Sequence, residues 1–169
     1  MAGPIRQELE QVYWEHRQGL YTLALSITRC PSRTEDAVQD AFSRLWRTSK
    51  APRGELVPYV FAAVRNASID QMRRNPSMMQ STEQTYIFDG QQDQVAGPLA
   101  MAVDLERQEI VRQAVEELPE EQRQAVVLHV YAGLTFEQVA TMLQEPLPTV
   151  ASRYRRALER LKTSMRKLV

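Results

Sequence analysis

The sequence predicts an all-α fold: two small helical domains joined by a flexible linker, the second of them a helix-turn-helix. Three observations predict it. Apolar residues recur at three-and-four spacing along most of the chain, the period of a helix with one buried face. No stretch alternates apolar and polar residues as a half-buried strand does. Residues 75 to 100, NPSMMQSTEQTYIFDGQQDQVAGPLA, are rich in Gln, Ser, Gly and Pro and hold no Lys or Arg, the composition of a connector. The expected division is therefore a first helical domain over 1–75, a linker over 76–102 and a second domain over 103–169.

In the first domain Ile5, Leu9, Val12, Tyr13, His16, Leu20, Leu23, Ala24 and Ile27 share one helix face. Pro31 stops that helix, and Ser32 with Glu35 has the spacing of a capping box that starts the next. Ala37, Val38, Ala41, Phe42, Leu45 and Trp46 form its buried stripe. The opposite face carries Asp36, Gln39, Asp40, Ser43, Arg44 and Arg47, which a core does not explain. After the loop KAPRGELV, Pro58 is suited to open a third helix that runs through YVFAAVRNASIDQMRR and halts at Asn75-Pro76. In the intervening stretch, TYIF is a segment with docking potential, and Asp89 and Asp93 make it net negative.

The second domain begins with the helix AVDLERQEIVRQAVEELP, ended before Pro119. EEQRQAVVLHVYAG follows, with Gly133 placed for the left-handed residue past a helix end. Thr135 and Gln138 make a capping box for the short helix FEQVATML. The segment EPLPTVASRYRRALERL completes a helix-turn-helix: small Ala140 lies where the second helix crosses the first, and apolar Val150 anchors that second helix ten positions on. Val139 and Leu143 face the core from the first helix, and Val150, Tyr154, Ala157, Leu161 and Met165 from the second. With Pro146 near the cap, Pro148 falls in the first turn, where a missing amide hydrogen costs no helical bond.

Charge sharpens this division. The formal net charge is zero, yet residues 101–150 carry 3 Lys/Arg against 9 Asp/Glu, and 151–169 carry 7 against 1. The basic block suits phosphates, and the acidic block before it does not. Thr149, Ser152, Arg153, Arg155, Arg156 and Arg160 lie on the remaining faces of the last helix. Early residues there are placed to reach base edges and later arginines to hold backbone phosphates.

Other classes are excluded by what the sequence lacks. No apolar run approaches the ~18 residues of a membrane helix, and MAGPIRQELEQ has no secretory pattern, so a cytoplasmic protein without membrane insertion is expected. Cys30 is the single cysteine, and with only His16 and His129 it forms no metal-ligand spacing. Both histidines lie on or beside apolar stripes, where packing is the simpler reading. No cofactor, metal or small-molecule substrate is expected.

Several motifs in order carry a resemblance: EDAVQDAFSRLWR, YVFAAVRNASIDQMRR, LPEEQRQAVVLHVYAGLTFEQVATML and TVASRYRRALERL. Over about residues 8 to 165 the chain resembles the small sigma factors of the extracytoplasmic-function (ECF) type, two-domain initiation subunits of bacterial RNA polymerase. The resemblance implies binding of core RNA polymerase through Asp36, Gln39, Asp40, Arg44 and Arg47. It implies engagement of the melted minus-10 element of promoter DNA by Arg65, Asn66, Asp70, Arg73 and Arg74, and of the minus-35 element by Thr149, Ser152, Arg153, Arg155, Arg156 and Arg160. An anti-sigma factor or other inhibitory partner is implied as well. Gln144, Pro148 and Ala151 depart from the family pattern where the last helix would enter the groove, and Tyr59 replaces a usual Trp. Promoter sequence therefore does not transfer with the resemblance. A plain helix-turn-helix regulator accounts for the second half but leaves EDAVQDAFSRLWR idle. An enzyme, or an adaptor binding protein alone, accounts for less.

Overall fold

The computed structural model describes residues 4–48, 51–74, 76 and 98–168. Seven α-helices are present among them: α1 Pro4–Thr28, α2 Pro31–Arg47, α3 Leu56–Arg74, α4 Pro98–Glu116, α5 Glu120–Val126, α6 Phe136–Leu143 and α7 Leu147–Leu168. A π-helical turn, Val127–Tyr131, continues α5. The described residues contain no strand. The TYIF segment and Asp89 and Asp93 lie outside the described residues.

Helices α1, α2 and α3 pack on one another. Leu9, Leu20, Leu23, Phe42, Leu45, Val60, Phe61 and Val64 interlock where their apolar stripes meet. The start of α2 differs from the capping box expected at Ser32 and Glu35. Cys30 is the N-cap, no side chain caps it, and Pro31 occupies the first helical position, where its fixed φ and missing amide hydrogen fit. Thr34 turns inward instead, its hydroxyl donating to the Cys30 carbonyl at 3.0 Å and lying 2.7 Å from the Thr28 hydroxyl. Helix α3 starts at Leu56, two residues earlier than Pro58 suggested, so Pro58 sits within the first turn. Trp46, read as buried, is 37% exposed.

In the second unit the predicted Thr135 capping box is present with both bonds, Gln138 N–H to Thr135 Oγ1 at 3.1 Å and Thr135 N–H to Gln138 Oε1 at 3.0 Å. Gly133 adopts φ 71°, and around it the Leu134 amide reaches back to the Leu128 carbonyl at 3.0 Å, closing the π turn. A second, smaller core gathers Val115, Leu118, Val126 and Ala157, with Val111, Tyr154 and Leu161 beside it. Arg123 ties α4 to α5: it is buried, and its guanidinium donates to the Glu116 and Leu118 carbonyls at 3.1 and 3.4 Å, capping the end of α4. Burial depresses its pKa.

The two units are not independent globules. Val127, Leu128, Leu134, Val139, Met142 and Val150 belong to the same apolar cluster as Leu20, Phe61 and Val64. Helix α1 packs on the π turn, and α3 packs on α6.

Candidate nucleic-acid interface

Helix α2 presents its polar face outward because Ala37, Ala41, Phe42 and Leu45 take the inward positions. Asp36, Gln39, Arg44 and Arg47 are exposed and Asp40 is half-buried. Arg44 forms an ion pair with Asp40 at 2.8 Å and lies 3.7 Å from Asp70 on α3, so charges from two of the predicted sets meet across neighbouring helices. Beside this face α1 and α2 leave an open groove of about 530 Å³ lined by Tyr13, Trp14, Val38, Phe42 and Trp46. Tyr13 meets Phe42 edge-to-face at 5.1 Å, and the Arg17 guanidinium stands 5.3 Å over the Trp14 ring. Sequence reasoning missed Trp14. Its place in the polar phase of α1 was the available signal.

On α3, Asn66, Arg73 and Arg74 are exposed, and Asp70 is half-buried beside Arg44. Arg65 is engaged elsewhere: its Nε donates to Gln124 Oε1 at 3.0 Å, and the Gln124 amide donates in turn to Glu120 Oε1 at 3.0 Å. The predicted set is thus brought onto one helix, with one member held by the second unit.

The helix-turn-helix has the expected anchors, Ala140 9% and Val150 1% exposed. Gln144, where the resembling family carries Gly, adopts the left-handed conformation at φ 54°, ψ 43°, so the turn keeps its backbone shape at the cost of strain in a side-chain-bearing residue. The Pro146 carbonyl accepts from the Thr149 and Val150 amides at 3.0 and 3.2 Å, which places Pro148 in the first turn as expected. Arg155, Arg156 and Arg160 are exposed. Thr149 and Ser152 are half-exposed. Arg153 is not free on the surface: it pairs with Glu145 at 3.1 Å and Glu121 at 3.4 Å and braces the turn against the start of α5. Met165, assigned to the core, is 39% exposed.

Both histidines serve packing. His129 stacks on Phe136 at 4.3 Å, and its Nδ1 lies 2.8 Å from the Leu134 carbonyl oxygen, which accepts only, so Nδ1 carries the proton. His16 meets Phe61 edge-on. Cys30 sits 3.2 Å from the Ser32 hydroxyl, and that hydrogen bond lowers the thiol pKa. Among the described residues no group of His, Cys, Asp or Glu is arranged to hold a metal ion, and no helix is long and apolar enough to cross a membrane.

Comparison with known proteins gives two family matches, Sigma-70 region 2 over residues 12–77 and Sigma-70, region 4 over residues 108–161. The ECF RNA polymerase sigma-E factor of Escherichia coli (strain K12) is 29% identical over 142 residues, covering 79% of this chain and 74% of its own. The RNA polymerase sigma-H factor of Pseudomonas aeruginosa is 28% identical over 143 residues, covering 80% and 74%. Among solved structures, the sigma factor RpoE in complex with the anti-sigma factor NepR, from Bartonella quintana, superposes with TM-score 0.66 at 25% identity, covering 95% of this chain and 96% of that one. CnrH in complex with the cytosolic domain of CnrY gives TM-score 0.65 at 20% identity, covering 96% and 90%, a likeness of fold.

Proposed function

Because the chain belongs to the sigma-70 family, as a sigma factor of the ECF type, we propose that its two helical units divide promoter recognition between them. As a sigma factor it binds core RNA polymerase, directs it to specific promoters and assists their melting; it works in the cytoplasm and catalyses no reaction itself. The observation that carries the reading is the ordered pair of modules, a three-helix unit with an exposed polar α2 and α3 followed by a helix-turn-helix with a basic α7.

Each face suits its task. The α2 face of Asp36, Gln39, Asp40, Arg44 and Arg47 offers a charged, rigid surface to core polymerase. Asn66 carries both a donor and an acceptor for the edge of an unstacked minus-10 base, and Arg73 and Arg74 suit the displaced strand. Arg65 and Asp70 belong to the same α3 surface. On α7, Arg155, Arg156 and Arg160 neutralise phosphates, and Thr149 and Ser152 enter the groove of the minus-35 element. Arg153 sets the angle of that helix through Glu121 and Glu145. An anti-sigma factor is the expected inhibitory partner, in keeping with the NepR complex of the Bartonella relative. With zero net charge the free chain gains little from counterion release and binds DNA weakly by itself.

The test is reconstitution with core RNA polymerase and a library of promoter sequences, reading transcript starts. Capture of core enzyme and starts at a shared two-part sequence are expected. A chain that binds DNA through α7 but neither captures core enzyme nor directs starts is a plain helix-turn-helix regulator.

A further inference from the structure

The outward face at the start of α7 follows from what its other residues already do. Val150 and Ala157 are enclosed, 1% and 0% exposed. Tyr154 packs edge-on against the rings of His129 and Phe136 at 5.0 and 5.3 Å. Arg153, its side chain 18% exposed, is held by Glu145 and Glu121. Arg156 and Arg160 border a cleft against α4, with Ala114, Glu117 and Leu118 on its other wall. The first two turns then leave Pro148, Ala151, Ser152 and Arg155 pointing outward together, at i, i+3, i+4 and i+7. Pro148 and Arg155 are exposed, and Ala151 and Ser152 are half-exposed.

The chemistry of that face is graded from apolar to charged. Its leading part is carbon, a proline ring and the Ala151 methyl, with neither donor nor acceptor. The Ser152 hydroxyl gives and accepts hydrogen bonds, so it tolerates any base edge. Charge begins only at Arg155, one turn further on. In the major groove the C5-methyl of thymine is the apolar group on a base edge, whereas guanine, adenine and cytosine present acceptors and donors. A methyl at position 151 pressed on those polar edges would strip their water and replace none of it. Pressed on thymine, it buries carbon against carbon.

We propose that Ala151, with Pro148 beside it, is a specificity-determining residue that reads the C5-methyl of one thymine in the upstream promoter element. The proposal rests on the reading of α7 as the helix that enters the minus-35 element, and goes beyond it by naming a base and the group on it. Arg155 holds the backbone beyond that base pair. The bonds of Arg153 to Glu145 and Glu121 keep the neighbouring arginine away from the same base pair, so the contact stays apolar.

The experiment uses the full chain with core RNA polymerase. A promoter library randomised across the minus-35 element is transcribed first, and the recovered element is expected to contain at least one fixed thymine. Each fixed thymine is then replaced in turn by deoxyuridine, which removes the methyl and keeps the pairing edge. At one of them transcription should fall about fourfold, the worth of one buried carbon. Ala151→Gly should show almost no response to that same replacement. Each variant is compared with itself on the two promoters, so any loss of helix stability from the glycine cancels. Ala151→Arg, which keeps a good helix former, should select guanine in place of that thymine. A wild-type chain indifferent to every deoxyuridine, or an Ala151→Gly chain that responds as the wild type does, overturns the methyl contact alone. If Arg155→Ala/Arg156→Ala transcribed as well as wild type, or no form gave transcripts, the reading of α7 would fall and the proposal with it.

Discussion

The two units solve the burial problem differently. Helices α1 to α3 are long and bury their stripes largely against one another, with Leu23, Val60 and Val64 fully enclosed. The second unit sets two short helices, α5 and α6, between the longer α4 and α7, and its apolar residues are split. Val115, Leu118, Val126 and Ala157 form a small core of their own, whereas Val127, Leu128, Leu134 and Val139 join the cluster of the first unit. The difference shows that a unit of helices as short as α5 and α6 relies on polar braces and on a neighbour, because it encloses too little apolar surface by itself.

That contrast can be broken by substitution. Phe61→Ala removes a fully buried ring from the large core and should cost about 3–5 kcal/mol in a denaturant titration. Arg123→Ala strips the carbonyl partners at the end of α4 and should cost about 2–3 kcal/mol, felt chiefly in the second unit by amide exchange. Thr135→Ala removes the capping box of α6 and should cost about 1 kcal/mol. If Phe61→Ala left the second unit's exchange protection unchanged, the shared core would be wrong as described.

The smallest effect is set by pH. The Arg112 guanidinium, bonded to Glu109 and to Glu116 at 2.6 Å, holds the Glu109 carboxyl below the usual carboxylate range. A depressed folded-state pKa contributes stability that is present above the unfolded value of 4.5 and lost as pH falls through the folded one. Because the Glu109 side chain is 42% exposed, Glu109→Gln should lower the melting temperature only slightly near neutrality, and that difference should vanish as pH falls through the acid limb, which the substitution flattens.

Most of the fold was legible from periodicity and punctuation. Pro119, Gly133 and the Thr135 box mark boundaries through backbone chemistry that acts locally, and the structure uses each of them. Local rules failed where tertiary contacts compete. At Ser32 a capping box was available, but Pro31 fits the first helical position and Thr34 bonds inward, so the box is not formed. The π turn left no trace in sequence, since VLHVY reads as continuous helix until His129 stacks on Phe136 and bonds to Leu134. For the candidate site, the exposed residues of α2, α3 and α7 could be read from their helical phase. Engagement could not. Arg65 with Gln124, and Arg153 with Glu121, pair residues far apart in sequence, and helical phase alone says nothing about which distant carboxylate or amide will face an arginine.

The central claim is that each unit serves its own promoter element, α3 the melted one and α7 the upstream one. The most direct measurement compares Asn66→Ala with Arg155→Ala/Arg156→Ala in the reconstituted polymerase, on duplex promoters and on promoters already mismatched across the minus-10 element. The account predicts that premelting restores most of the activity lost by Asn66→Ala and little of that lost by the arginine pair, whose defect should instead deepen with salt. Equal rescue of both, or of neither, would contradict it.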